Sequence, residues 1–170
     1  MALPDQTGPA KTAFVFAGGG SFGAIQVGML HSLVAHGIAA DMVVGSSVGA
    51  LNGAFYAGDP TLGGVERLGE IWRGLKRQDV FPMSWRTVLS FLWRRDFLIS
   101  HDGIRKLIDD HIPYRNLQDA KVPVHIVTTD IISGDAVVLS EGSTSEAIVA
   151  STAIPGAFAP IPYKNYYLAD

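Results

Sequence analysis

Apolar residues follow two rhythms along the first sixty positions. A continuous run from Thr12 to Ala17 (TAFVFA) stops at glycines, which is the pattern of a short strand buried on both faces. From Phe22 to Val34 the apolar positions Phe22, Ile25, Val27, Leu30, Leu33 and Val34 recur at mostly helical spacing, and Gly37 supplies a C-terminal stop. A second strand is predicted at Asp41 to Val44 and a second helix at Val48 to Tyr56. This βαβα alternation predicts a mostly parallel sheet covered by helices, with short helical connections between strands. The stretch from Leu62 to His111 reads as several helices broken at Pro82 and near Gly103. Strands return at Val122 to Thr128 and Ala136 to Leu139, joined by a turn around Ser133-Gly134-Asp135. A short helix over Ser143 to Thr152 and a single final strand over Tyr163 to Leu168 complete the expectation.

The composition fits one globular domain. The chain has 170 residues, of which 48% are hydrophobic and 17% charged. Residues 1–11 are polar and read as a flexible lead, and residues 12–170 as the domain. Having no cysteine, the chain lacks a thiol nucleophile, a disulfide and a cysteine metal site. No cluster has metal-ligand spacing, so neither a metal nor another cofactor is expected. A net charge of −3 argues against nucleic acid as a partner, although the charge is unevenly spread. Between Arg67 and Lys106 nine basic residues face four acidic ones, a local +5 that leaves −8 elsewhere. Within that segment, residues 81–106 combine Trp85, Leu89, Leu92 and Trp93 with Arg86, Arg94 and Arg95, which suits peripheral contact with an anionic membrane. The bland alternative is a core helix with a charged outer face. Thr12 to Leu30 is uncharged for 19 residues, but the glycines at its centre make a poor spanning helix, and the residues before it lack a secretory signal's cationic start. The expected location is cytoplasmic, at most peripheral to a membrane.

Two glycine-containing turns carry the chemistry. Gly45-Ser46-Ser47-Val48-Gly49 matches G-x-S-x-G where a strand gives way to a helix, the context that makes the motif meaningful. In such an elbow Ser47 is the nucleophile, and a β-carbon at Gly45 or Gly49 would obstruct the close approach of strand and helix. Upstream, Gly18-Gly19-Gly20-Ser21-Phe22-Gly23 connects the first strand to the first helix. Backbone N–H groups of Gly18, Gly19 and Gly20 can form an oxyanion hole. The same loop also spells Gly18-x-Gly20-x-x-Gly23, a dinucleotide fingerprint with Asp41 as the ribose acid. Asp41 stands before the second strand rather than at its end, which weakens that alternative.

The stretches AFVFAGGGSFGAIQVGML, VVGSSVGALNGAFYA, TTDIISGDAVVLSEG and ASTAIPGAFAPI, followed by Asp170, resemble in order and spacing the patatin-like phospholipase family. The resemblance covers most of residues 12–170 and implies a three-layer α/β sandwich with a mostly parallel central sheet, related to the α/β-hydrolases. It also implies hydrolysis of lipid acyl esters by a dyad of Ser47 and Asp170, with no catalytic histidine. Phe22 occupies a position where many relatives carry Arg. The Gly-Gly or Gly-Ala that follows the family's aspartate has no counterpart after Asp170, so the chain is expected to be a fragment incomplete at its C-terminus. Structural roles are expected for His31, His36, His101, His111 and His125, and cap or turn roles for Asp102 and Asp130. The expected function is therefore phospholipid or other acyl-ester hydrolysis. The alternatives are a dinucleotide-binding module and a non-catalytic lipid-binding fragment.

Overall fold

The structure is a computed structural model that describes residues 11–75 and 100–170. The expected interfacial aromatic and basic residues between Trp85 and Arg95, and most of the expected lead, lie outside the described residues. Among the described residues, five α-helices and six strands follow in the order β1 (Ala13–Phe16), α1 (Gly23–Ala35), β2 (Met42–Ser46), α2 (Val48–Gly58), α3 (Leu62–Gly74), α4 (Asp102–His111), β3 (Val124–Asp130), β4 (Ala136–Leu139), α5 (Thr144–Ser151), β5 (Ile161–Tyr163) and β6 (Tyr166–Ala169). The long uncharged run near the N-terminus thus divides into β1, the glycine loop and α1. Among the described residues no helix is long and apolar enough to cross a membrane.

The first three strands are parallel, with Val15 opposite Val44, and Val44 opposite His125. The crossover between the parallel strands β2 and β3 carries α2, which packs directly on the sheet. The later strands are antiparallel, so the sheet is mixed. The predicted final strand is instead a hairpin, β5 and β6 joined through Lys164-Asn165. Lys164 takes the positive φ of 51° that such a two-residue turn requires, and with Lys rather than glycine there Asn165 is the one turn-favouring residue of the pair.

Register decides where β2 and β6 meet. Val127 pairs with Ser46 and Val138, and Thr129 pairs with Ala136 and Ala169. A strand residue has one neighbour on each edge, so β4 occupies one edge of β3 while β2 and β6 share the other. β2 climbs along β3 as far as Val127 and β6 descends along it from Asp130, leaving their ends face to face.

The core lies between the sheet and α2. Phe14, Phe16, Val43 and Ile126 alternate toward it, and Ala50, Ala54 and Ala57 of α2 are fully buried against them. Small residues on α2 allow the helix axis to come close to the strands. α5 sits beside α2 and packs on β3 and β6, and α1 and α3 pack on α2. α4 turns Ile104 and Ile108 inward; Asp102 lies in its first turn, where its carboxylate accepts from the Ser100 hydroxyl and its N–H donates to that same oxygen, so Ser100 rather than Asp102 takes up a backbone donor there.

Asp130 closes the β3–β4 turn and also anchors β6. Its carboxylate accepts from the N–H groups of Ile132, Ser133 and Tyr167. Burial alone would raise its pKa, but the bonds from Tyr167, Ser133 and Ile132 outweigh this and hold it below the usual carboxylate range. A carboxyl depressed in the folded state stabilises the fold above the unfolded pKa of about 3.9, and this contribution is lost as pH falls through the folded value. Asp130→Asn should therefore lower Tm at pH 7, with the gap to the parent chain closing below about pH 4. Thermal melts across pH 3–7 check this, and a constant gap would contradict it.

Candidate active site

Ser47 is placed by a backbone that only a tight elbow produces. It sits between β2 and α2 with φ 53° and ψ −127°, a conformation that costs a non-glycine residue on the order of 1–3 kcal/mol and clusters at functional sites. Its carbonyl accepts the Ala50 N–H at 2.9 Å as the first turn of α2 forms. The flanking glycines are required by space. A Cβ at Gly45 would stand 2.4 Å from the Gly49 carbonyl oxygen, and one at Gly49 would stand 2.1 Å from that of Phe16. Strand and helix are in backbone contact there, as the motif requires.

The Ser47 hydroxyl donates to Asp170 Oδ2 at 2.6 Å, linking residues 123 positions apart. Both side chains are half-buried. The two backbones are held from one short segment: Ser47 N–H donates to Ser151 Oγ at 2.9 Å, and Asp170 N–H donates to the Ala153 carbonyl at 3.1 Å. Neither Ser151 nor Ala153 was marked out by the sequence reading. Their only signal was the quoted ASTAIPGAFAPI stretch, to which it gave no role.

The glycine loop lies against the serine. A Cβ at Gly18 would be 3.3 Å from Ser47 Cβ and 4.0 Å from its Oγ. Gly19 and Gly20 take φ values of 148° and 56°, open to glycine and strained for other residues. No backbone carbonyl among the described residues accepts the N–H of Gly18 or Gly19. The loop is fixed at its base by a chain of polar groups, buried at Asn52 and open to solvent at Ala17, that the sequence reading also missed. Trp72 Nε1 donates to Asn52 Oδ1 at 2.8 Å, Asn52 Nδ2 donates to Gln26 Oε1 at 2.9 Å, and Gln26 Nε2 donates to the Ala17 carbonyl at 2.7 Å. Asn52 is fully buried and also donates to the Gly23 carbonyl, so every amide group on it is used.

The other candidates fall elsewhere. Asp41 bonds Thr12 N–H at 2.7 Å at the start of β1 and β2, the opposite end of the strands from the glycine loop, so the dinucleotide alternative has no acid at the loop. The third glycine of that fingerprint, Gly23, packs under Trp72 and Val48, both of which a Cβ would meet at 2.6 Å. Each histidine has neighbours away from Ser47. His31 faces Glu66, His36 bonds the Ser32 carbonyl, His101 bonds that of Ala159, His111 lies against Phe55, and His125 bonds Ser140.

A family model described as patatin-like phospholipase matches residues 14–170. The chain belongs to the patatin-like phospholipase family. Among curated relatives it is 28% identical to patatin-like phospholipase domain-containing protein 7 of Rattus norvegicus, covering 93% of this chain and 12% of that protein. It is 27% identical to Lysophospholipase NTE1 of Scheffersomyces stipitis, covering 92% of this chain and 10% of that one. An uncharacterized NTE family protein of Mycobacterium bovis is 30% identical, with 94% of this chain and 42% of the relative covered. This patatin-like chain thus spans about a tenth of the length of the first of these relatives and under half of the last. Among solved structures, VipD from Legionella pneumophila shares the fold, with a TM-score of 0.66 at 15% identity over 95% of this chain and 46% of that one. That likeness supports the three-layer α/β arrangement expected of a patatin-like domain.

Gly49→Ala should destabilise the fold by about 1–3 kcal/mol or more, because the added carbon collides with the β1 backbone rather than with a movable side chain. Gly28→Ala, where a Cβ meets nothing within 4 Å, should be neutral or slightly stabilising. Paired denaturation curves check the contrast.

Proposed function

We propose that this patatin-like domain hydrolyses acyl esters of lipids, phospholipid or lysophospholipid, through a serine–aspartate dyad. The observation that carries the proposal is the 2.6 Å hydrogen bond from Ser47 Oγ to Asp170 at a strained strand-to-helix elbow. A charge-assisted contact of that length is what a nucleophile needs from a base that must take its proton.

Ser47 Oγ attacks the ester carbonyl carbon while its proton passes to Asp170. The carbonyl oxygen becomes an oxyanion, stabilised by the backbone N–H groups of Gly18, Gly19 and Gly20, which need no reorganisation at the moment of reaction. Collapse of the tetrahedral species expels the alcohol, which takes the proton back from Asp170, and leaves an acyl ester on Ser47. Water then loses a proton to Asp170 as it attacks this ester, and the second collapse returns that proton to Ser47 and releases the fatty acid. The positive end of α2 lies at Ser47 and adds to stabilisation of the negative charge. The lysophospholipase named among the relatives supports a lipid ester as the substrate.

A fluorophosphonate should label Ser47, and Ser47→Ala should abolish labelling. Asp170→Asn should lower kcat for a short soluble ester by roughly 10²- to 10⁴-fold with a smaller change in KM. Gly19→Val should cost roughly 10²- to 10³-fold in kcat by disturbing an oxyanion donor. Labelling of a different residue, or a full rate in Asp170→Asn, would remove the dyad.

A further inference from the structure

We infer that the hydroxyl of Ser151 is a positioning residue for the nucleophile: it is inserted into the last rung of the β2–β3 ladder and so holds Ser47 out of the sheet, within reach of Asp170. The inference rests on Ser47 being the nucleophile.

The argument starts from register. β2 and β3 are parallel, and Val43 N–H donates to the Pro123 carbonyl at 2.8 Å while Val43 stands opposite Val124. A parallel ladder repeats every two residues, so Gly45 N–H belongs to His125 and Ser47 N–H belongs to the Val127 carbonyl. That last rung is not made directly. Ser47 N–H donates to Ser151 Oγ at 2.9 Å, and Ser151 Oγ–H donates to the Val127 carbonyl at 2.6 Å. A hydroxyl that accepts from one strand and donates to the other satisfies both backbone groups, while separating them by two hydrogen-bond lengths instead of one.

The widened rung has a consequence at the elbow. With a direct rung Ser47 would continue β2 along β3, toward the ground that β6 occupies at Thr129. With the hydroxyl interposed, the backbone leaves the sheet at Ser47 with φ 53°, and the side chain meets Asp170, the residue that follows β6. Two residues beyond Ser151, the Ala153 carbonyl accepts the Asp170 N–H, so the two dyad backbones are set against one another from a single turn. Ser151 is fully buried, with its one proton and an acceptor site committed to these bonds, so it acts through Ser47 rather than on substrate.

The test compares Ser151→Ala, Ser151→Cys and Ser151→Thr with the parent chain, well below the Tm of each. Two readouts are the fluorophosphonate inactivation rate per folded molecule, and kcat and KM on p-nitrophenyl butyrate. The Ala variant should label roughly 10- to 100-fold more slowly at saturating probe, with kcat falling in parallel and KM nearly unchanged, as expected of a displacement of about 1 Å at the attacking atom. Thr, which keeps the hydroxyl, should restore most of the rate. Should the Ala variant not fold, Cys, which keeps the volume with a weak donor and acceptor, decides by the same loss. A folded Ala or Cys variant that labels within about threefold of the parent means that Ser151 supports only stability, and overturns the inference. Absence of Ser47 labelling in the parent chain would instead overturn the nucleophile itself.

Discussion

Everything at the candidate site follows from one edge of β3 serving two strands in succession. β2 needs that edge from Val124 to Val127, and β6 needs it at Thr129 and Asp130. Strands arriving from opposite directions cannot both continue, so each must leave the sheet where they meet. Leaving exposes backbone donors and acceptors in a buried place, and an unsatisfied one costs on the order of 1–3 kcal/mol. The solution is a short stretch at the end of α5, whose Ser151 hydroxyl and Ala153 carbonyl take up the orphaned groups. Ser47 and Asp170 are the residues at the two exits, and their side chains meet because their backbones cannot.

This geometry explains which parts were legible in the amino-acid sequence. The βαβα start was readable because apolar runs, helical spacing and glycine stops are local signals, and the G-x-S-x-G turn fell where its context required. Asp130 was read as a turn acid, and its three backbone partners agree. The β5–β6 hairpin was read as one strand because its turn residue, Lys164, adopts a conformation usually marked by glycine. Ser151 left no separate trace, since a hydroxyl in a helix acquires meaning only when the register of two distant strands is known. Asn52 and Gln26 were hidden for a similar reason, being polar positions in otherwise ordinary helices whose partners come from α3 and from the end of β1.

The packing around the site is correspondingly uneven in its tolerance. On α2, Gly49 and Gly53 let the helix descend onto Phe16 and Val43, while Asn52, one residue from Gly53, carries a buried amide that could not survive there unpaired. The helix that presents the serine is therefore bound to the sheet by close backbone contact and to the glycine loop by hydrogen bonds through Gln26. A shift of α2 would disturb both at once. Rigid contact and directional bonding act together to keep the loop and the elbow in one relative position, which is the preorganisation an oxyanion site requires.

The separation of Ser47 from Asp170 along the chain also sets when the site can exist. β1, α1, β2 and α2 are neighbours in sequence and can collapse early, because closing short loops costs little entropy and local contacts form fast. The hydroxyl–carboxylate contact spans 123 positions and requires β6 to have found its place beside β3. During synthesis the elbow waits as well, because the hydroxyl that receives the Ser47 N–H belongs to Ser151, 104 positions further along the chain. The proposed dyad therefore depends on pairing between strands distant in the chain, and not on the local β1–α2 unit alone.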